Sequence, residues 1–381
     1  MTAPAQIQID LAALERNVSA LASLIGPACE LLAVVKSDGY GHGLVEAARA
    51  ALAGGARRAG VSTIDEGVAL RAAGLTCPIL VMGLFEEADA SVIVAQRLTP
   101  VINRSGQLTA VVSAVRSCGP ARAPHSIHLN VDTGMGRLGL LPDEFWPLLE
   151  QAWSAPELVV EGLMTHFAEA DLADSAATAE QSRTFSALLD QVKQRARPDR
   201  SLIAHAANSA ALLTQPASRH QMVRAGLAIY GVAPAAHCRQ IVPLAPVMRW
   251  TTRIAHLRRL PAGSSLGYGR TFTTKRPSLI GVLPLGYAAG YPRLLSNRAA
   301  CLHGGARRPI VGRISMDLTM IDLTDQPEAA IGEEVVLLGA QGRASVTADE
   351  LAAWAQTIPY EILCAAGARN PRRHIEPADD R

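Results

Sequence analysis

Lys36 is one of only three lysines in the whole chain; Lys193 and Lys275 are the others, and every remaining basic side chain among the 36 Lys and Arg is arginine. A composition that has replaced lysine so thoroughly keeps it where arginine fails. A guanidinium stays protonated and cannot attack a carbonyl, whereas a desolvated lysine amine can, and it can form a Schiff base. Lys36 closes the apolar run 31–35 and opens a glycine-rich turn, Gly39-Tyr40-Gly41-His42-Gly43. That is how a barrel presents a reactive side chain at the carboxyl end of a buried strand. The alternative is a surface lysine that precedes a loop, and this segment alone leaves both readings open.

Further segments put chemistry at the ends of apolar runs. His128-Leu129-Asn130-Val131-Asp132-Thr133-Gly134-Met135-Gly136-Arg137 leads into a glycine-rich turn that holds an arginine. Met164-Thr165-His166-Phe167-Ala168 ends on a histidine, and His205-Ala206-Ala207-Asn208-Ser209 ends on a helix cap. Met222-Val223-Arg224-Ala225-Gly226-Leu227 adds an arginine and a glycine whose N–H can be approached closely. A helix start offers N–H groups and a hydroxyl to an anion. An amine, a planar ring, fixed positive charge and a phosphate cradle together suit a phosphorylated aldehyde cofactor bound as an imine. Singly, each has an ordinary reading: His166 as a core histidine, Asn208-Ser209 as an N-cap, Arg224 as a buried arginine with a carboxylate partner, Gly134 and Gly136 as turn formers.

The elements that must position these residues alternate along the first two-thirds of the chain. Apolar runs at 31–35, 60–61, 79–82, 127–131, 159–164 and 203–206 are followed by helical patterns near 43–53, 64–73, 86–90, 143–153, 176–196 and 209–213. Repeated strand–helix units predict a parallel sheet. Seven or eight of them favour a closed (β/α)8 barrel, whose carboxyl-end loops carry the chemistry. Past Val242-Pro243-Leu244-Ala245-Pro246 the runs become short and β-branched (251–257, 279–283, 300–302, 309–314, 319–323, 334–338). They predict a mostly antiparallel β domain with a helix at 348–357. The expected division is a barrel over 10–240 and a β domain over 241–375, with a lone strand within 1–9 as a candidate to pack on the latter, followed by a helix over 11–24. The tail after Pro371 reads as frayed.

Composition removes other function classes. At 381 residues the chain exceeds the size at which one core divides, roughly 250 to 300 residues. It is 49% apolar and 18% charged, with a formal net charge of +2. There is no basic stripe with interleaved aromatics, so no case for nucleic acid. No apolar run approaches the ~20 residues of a membrane span, and the N-terminus lacks a signal-peptide pattern. Six scattered cysteines form no Cys-x-x-Cys pair, which argues against a metal site or a disulfide framework and for a reducing, cytoplasmic setting.

The ordered set of motifs resembles the alanine racemase family of pyridoxal-phosphate enzymes, over residues 9–371. Ala33-Val34-Val35-Lys36 with Tyr40-Gly41-His42-Gly43 is similar to the family's cofactor-lysine signature. Val131-Asp132-Thr133-Gly134-Met135-Gly136-Arg137-Leu138-Gly139 is nearly letter-perfect. Gly162-Leu163-Met164-Thr165-His166-Phe167, Gly267-Tyr268-Gly269-Arg270-Thr271-Phe272, Gly312-Arg313-Ile314-Ser315-Met316-Asp317 and Tyr360-Glu361-Ile362-Leu363 follow at family spacing. The resemblance implies an N-terminal (β/α)8 barrel followed by a C-terminal β domain, pyridoxal 5'-phosphate as cofactor, and a head-to-tail homodimer. It implies that Lys36 holds the cofactor, that Tyr40, Ser209, Gly226, Leu227 and Tyr360 surround the phosphate, that His166 lies against the ring and that Arg224 faces its nitrogen. Arg137 is implied near the substrate carboxylate, with Met316, Tyr268 and the entrance residue Tyr287 supplied by the partner subunit. It also implies a role in D-alanine supply for peptidoglycan precursors.

Racemisation needs a proton removed from one face of Cα and returned to the other. Lys36 is expected to serve one face and Tyr268 of the partner the opposite one. A phenol of ordinary pKa ~10 is a poor base at neutral pH, so positive charge from Arg270, or from His166 and Arg313, is expected to favour its phenolate. Without the resemblance, Tyr268 reads as a structural tyrosine in a glycine-flanked turn.

Three positions depart from the family pattern. Asn130 replaces a lysine, often carbamylated, that orients the arginine matching Arg137, and a bound chloride near Asn130 and Arg137 is expected in its place. Ala289 replaces an acidic residue, and Asn370 an apolar one. The bulk of Tyr360 favours alanine as substrate. A serine or broad-specificity racemase is the nearest rival; a decarboxylase or a non-catalytic cofactor-binding protein lacks the second-domain motifs.

Overall fold

The computed structural model describes residues 5–119, 123–195 and 202–375. They form two compact units. One contains the described residues of Leu14–Gly39 and Ala47–Ala245, the other those of Met1–Ala13, Tyr40–Glu46 and Pro246–Arg381.

The chain opens with β1 (Ala5–Asp10), after which eight strands build the first unit. They are β2 (Glu30–Val34), β3 (Arg58–Val61), β4 (Ile79–Val81), β5 (Thr99–Ile102), β6 (His125–Asn130), β7 (Leu158–Met164), β8 (Ile203–His205) and β9 (Met222–Ala225). Their parallel order is β8-β7-β6-β5-β4-β3-β2-β9. Backbone bonds from Gln221 N–H to Ala204 O (3.2 Å) and from Arg224 N–H to Ala207 O (2.9 Å) bring the two ends together into a nearly closed barrel. Buried Leu31, Leu32, Val61, Ile79, Val81, Val101, Ile127 and Leu163 supply its apolar interior surfaces and helix contacts.

The expected alternation holds, with one unit added and one shifted. The strand β5 and its helix Ser105–Ser117 were not anticipated by the alternating pattern, because Pro100 interrupts the run. Pro100 is accommodated as the parallel partner of Val81. Instead of a helix over 86–90, a 3-10 turn at Glu87–Asp89 leads into a helix at Ala90–Ala95.

In the second unit β1 pairs antiparallel with β10 (Met248–Arg253), Ile7 lying opposite Trp250. On its other side β1 pairs in parallel with Arg372–Ile375. These belong to a seven-stranded sheet, beside a three-stranded antiparallel sheet of His256–Leu260, Ser278–Leu283 and Thr319–Asp322. The expectation of a frayed tail is therefore corrected for 372–375; residues 376–381 lie outside the described residues. Two helices stand where one was expected. Ala348–Ala355 is capped by Thr347 and Glu350, each side chain binding the other's backbone N–H, and Pro359 starts a second helix, Pro359–Arg369.

Candidate active site

Lys36 leaves the carboxyl end of β2, and the backbone that follows is left-handed. Ser37, Asp38, Gly39 and Tyr40 have φ of 54°, 54°, 61° and 51°. Each non-glycine residue in that conformation costs roughly 1–2 kcal/mol, so the turn persists only where its surroundings over-determine it. Glu66 does much of this. One carboxylate oxygen accepts from Ser37 N–H (2.6 Å), and the other from Ser62 N–H (2.8 Å) and Thr63 N–H (3.1 Å), capping the helix Ile64–Ala72. Gly39 N–H returns to Val35 O (2.8 Å), and the Tyr230 hydroxyl donates to Val34 O (3.1 Å).

Arg224, on β9, is buried and reaches across the barrel mouth to the ends of β7 and β8. Its guanidinium donates to the carbonyls of His205 (2.8 Å), Thr165 (2.8 Å) and Ala206 (2.9 Å), and lies 2.9 Å from His205 Nδ1 and 3.1 Å from His166 Nδ1. Among the described residues it forms no ion pair with a carboxylate, so the reading as half of a buried salt bridge is not what the structure shows. Burial lowers its pKa to about 10, which leaves it protonated at neutral pH. His166 is held neutral: burial first, then Arg224, Arg137 and Lys36, push it down to about 3.

The His166 loop is braced by Gln181, a residue the sequence did not single out. Its amide nitrogen donates to His166 O (2.9 Å) and Thr133 Oγ1 (3.3 Å), and its oxygen accepts from Ala168 N–H (2.9 Å).

Ser209 begins the helix Ser209–Thr214, whose N-cap Asn208 accepts from Ala210 and Ala211 N–H (3.1 Å each). The buried Ser209 Oγ accepts from Gly226 N–H (2.9 Å) and Ala228 N–H (3.3 Å), which leaves its own hydrogen to donate. Leu227 N–H has no acceptor among the described residues. A hydroxyl and an amide therefore lie side by side with donor capacity to spare, which suits an anion.

Arg137 is exposed beyond β6 and has no hydrogen-bond partner among the described residues. Its turn is shaped by Asp132, which accepts from the N–H groups of Gly134, Met135 and Gly136. Asn130 is buried and spends one amide hydrogen on Asn103 Oδ1 (2.8 Å).

In the second unit the Tyr40 and Tyr360 rings lie 5.5 Å apart, tilted by 55°. Burial, then Tyr360 and Cys364, raises the Tyr40 phenol, so it remains a protonated donor. Tyr268 sits in a turn with Gly267, Gly269 and Arg270 at positive φ, and is 71% exposed. The Arg313 guanidinium lies against Gly269, within 3.0 Å of where a Cβ would stand. Tyr287 N–H donates to Ser315 O (3.2 Å) and Ala288 N–H to Met316 O (3.0 Å), so the Tyr287 and Met316 segments form one surface. Met316 N–H has no acceptor among the described residues. Two of the departures meet here: Asn370 donates from Nδ2 to Ala289 O and to Ala366 O, both 2.8 Å, tying the Tyr287 turn to the end of a helix.

Family profiles give the geometry its context. The alanine racemase N-terminal domain matches residues 9–234 and the alanine racemase C-terminal domain matches 247–374. The chain belongs to the alanine racemase family. A curated alanine racemase of Desulfosudis oleivorans is 44% identical over 96% of this chain and 95% of its own length. The crystal structure of alanine racemase from Streptomyces lavendulae, a D-cycloserine producer, superposes with a TM-score of 0.93 at 34% identity, covering 100% of this chain and 99% of that one. The alanine racemase of Bartonella henselae, solved with covalently bound pyridoxal phosphate, superposes at 0.88 and 28% identity, covering 98% of this chain and 100% of that one.

The neutral histidines of this family member carry a pH consequence. Burial depresses His128, His166 and His205 below the ordinary 6.5. Unfolding therefore takes up protons once the pH drops below that value. Their contribution to stability is complete above about pH 6.5 and is lost as the pH falls, for His166 down to about 3. Each contributes a slope of about 1.4 kcal/mol per pH unit in that window. Urea unfolding between about pH 7 and pH 5 should show the midpoint falling with acidification, and His166→Gln should flatten the slope; equal slopes in the two proteins would rule His166 out.

Proposed function

We propose that this chain interconverts L- and D-alanine with pyridoxal 5'-phosphate, working as a homodimer with shared sites. The observation that carries the proposal is the set at the carboxyl end of the barrel: a lysine on a strained, braced turn beside a buried arginine and a neutral histidine. These residues fit the cofactor. Lys36 is the amine that would hold the aldehyde, the Ser209 hydroxyl and the Leu227 N–H would supply phosphate donors beside Gly226, and the phenols of Tyr40 and Tyr360 would add to them. His166 would lie against the pyridine, and Arg224, whose NH1 and NH2 hydrogens are engaged by the protein, would offer its Nε–H to the ring nitrogen while having no proton it readily gives up. When bound, the cofactor supplies the electron sink that makes the substrate Cα–H acidic.

The chain's own groups do the rest. Arg137 and the backbone N–H of Met316 of the partner subunit bind the substrate carboxylate. Lys36 moves the Cα proton on one face, and Tyr268 of the partner subunit moves it on the other. The exposure of Tyr268, Met316 (54%) and Tyr287 (42%) in the single chain supports a partner surface there. A chloride beside Asn130 supplies the negative charge that Arg137 lacks among the described residues. Removal of halide should lower activity and its return restore it; indifference to halide would dismiss the ion. All six cysteines are free and no described helix is long and apolar enough to cross a membrane, which supports a cytoplasmic enzyme in this reading.

The deciding experiment is a panel of L-amino acids assayed for the D-enantiomer with the carboxylate retained. Alanine should turn over fastest and serine next, because one added hydroxyl is hard to exclude by size. A chain that loads the cofactor yet forms no D-alanine would end the proposal.

A further inference from the structure

We propose that Glu161 is a positioning residue: its charge, acting through His128 and His205 in the barrel interior, reinforces the direction of a hydrogen-bond chain that ends on Arg224. The inference deepens the functional reading above and rests on Arg224 facing the cofactor ring.

The contacts run from Arg224 to Glu161, the first two at hydrogen-bond distance and the last a charge facing a ring nitrogen that has no hydrogen-bond partner of its own. Arg224 NH1 lies 2.9 Å from His205 Nδ1, His205 Nε2 lies 2.8 Å from His128 Nδ1, and His128 Nε2 lies 3.5 Å from Glu161 Oε2. The other Glu161 oxygen is 2.9 Å from Arg58 NH1, and Arg58 Nε donates to Glu30 Oε2 at 2.7 Å. Both imidazoles are fully buried. None of His128, Glu161, Arg58 or Glu30 has a place in the proposed chemistry.

Donor and acceptor rules give this chain a single direction. A guanidinium has donors only, so His205 Nδ1 accepts from Arg224. In a neutral imidazole the proton then sits on Nε2. That N–H donates to His128 Nδ1, which puts the His128 proton on Nε2, facing the Glu161 carboxylate. Both rings are neutral: burial, and the positive charges of Arg224 and Arg58, lower them, although Glu161 pulls His128 the other way. Burial would raise the Glu161 carboxyl, but His128 and Arg58 outweigh it and hold it at about 2, so it stays ionised. The two ends agree: the donors of Arg224 and the charge of Glu161 each call for the Nε2–H tautomer at both rings, and Glu161 reinforces the lone pair that His205 presents to Arg224. Reversed tautomers would set an N–H of His205 against the N–H groups of Arg224 and displace the guanidinium.

The backbone is shaped to permit this. In the β6–β7 register Ile127 pairs with Val160 and His128 with Gly162, so Glu161 is the extra residue of a β-bulge. A bulge re-aims a side chain. Gly162 makes room for the ring, since a Cβ there would stand 2.3 Å from His128 Nδ1.

The test is selective nitrogen-15 histidine labelling of the holoenzyme, with resonances assigned from single-histidine variants, in the unmodified protein and in Glu161→Gln. A glutamine amide can accept from His128 Nε2 or donate to it and carries no charge, so it takes away the preference at that end and leaves only the one Arg224 sets, while the Arg58–Glu30 pair remains. We expect Nε2–H tautomers at His128 and His205 in the unmodified protein, and a population of Nδ1–H forms in the variant. The alanine kcat/KM should fall by about tenfold as the charge facing the buried His128 ring is removed, mostly in kcat, with a shift in the cofactor absorbance. An Nδ1–H form at either histidine of the unmodified protein overturns the proposal, even if the variant fails to fold. So do unchanged tautomers with lost activity, which would mark a merely structural network, and changed tautomers with unchanged kcat. A lack of D-alanine formation by the unmodified chain would defeat the functional reading by itself, whereas the spectra decide the direction of the chain.

Discussion

Replacing Lys36 with alanine should lower alanine racemisation by about 10⁴-fold, at the upper end of what one acid–base group contributes, and should remove the borohydride-trappable absorbance of the purified protein. The size of the effect follows from two losses at one atom. The amine is the group that holds the aldehyde, and it is also the base for one face of Cα. Arginine at the same position should be no better, because a guanidinium does neither at neutral pH. The three-lysine composition provides controls within the chain. Lys193 lies on the outside of a helix paired with Asp190 (3.3 Å), and Lys193→Ala should leave both the absorbance and the rate in place. Trapping at Lys193 or Lys275 instead of Lys36, or retention of more than a small fraction of the rate in Lys36→Ala, would remove the anchor from the proposed mechanism. The left-handed turn sharpens the expectation. Glu66 braces the turn through the backbone N–H of Ser37, so a loss confined to the amine should leave the fold of the turn intact.

Lys36 and His166 could be placed in sequence because each follows an apolar run that reads as a buried strand, Ser209 because Asn208-Ser209 reads as a helix start, and Arg224 because it lies within a short apolar run. The residues that hold them were not. Glu66 is 29 positions from Ser37, Gln181 is 48 from Thr133, and the His128–His205 pair spans 77. In one sequence a glutamate, a glutamine or a histidine at such distances carries no sign of its partner. The alternation His125-Ser126-Ile127-His128 does put polar residues on an otherwise apolar strand, a signal that polar atoms meet inside the barrel. The fold shows the same division. The strand β5 was hidden by Pro100, which local propensity reads as a breaker and the sheet accepts. The strand Arg372–Ile375 has three basic residues, and only its pairing with β1 makes it a strand. Asn370 and Ala289 read as separate anomalies in sequence, yet a 2.8 Å hydrogen bond makes them one feature. A position that departs from a family pattern is thus interpretable only with the neighbour that adapts to it.

Tyr268→Phe should lower racemisation by about 10²- to 10⁴-fold, the range for one general acid–base group, with little change in the KM for alanine. The phenol is exposed in the single chain and so costs little to remove; a large effect on rate must come from chemistry. If Lys36 still serves its own face, one enantiomer should continue to exchange its Cα hydrogen with heavy water while inversion nearly stops. Equal loss of exchange from both enantiomers would mean that Tyr268 positions rather than transfers the proton. A sharper measurement mixes two inactive proteins. In a hybrid dimer of Lys36→Ala and Tyr268→Phe subunits, shared sites pair the intact Lys36 of one chain with the intact Tyr268 of the other, leaving one complete site and one doubly defective site. Random exchange of subunits should then restore about a quarter of the unmodified activity. If each chain carried its own lysine and tyrosine, every site in every dimer would lack one base, and mixing would restore nothing. Complementation therefore tests the second base and the homodimer in one measurement, and it does so without a structure of the assembly.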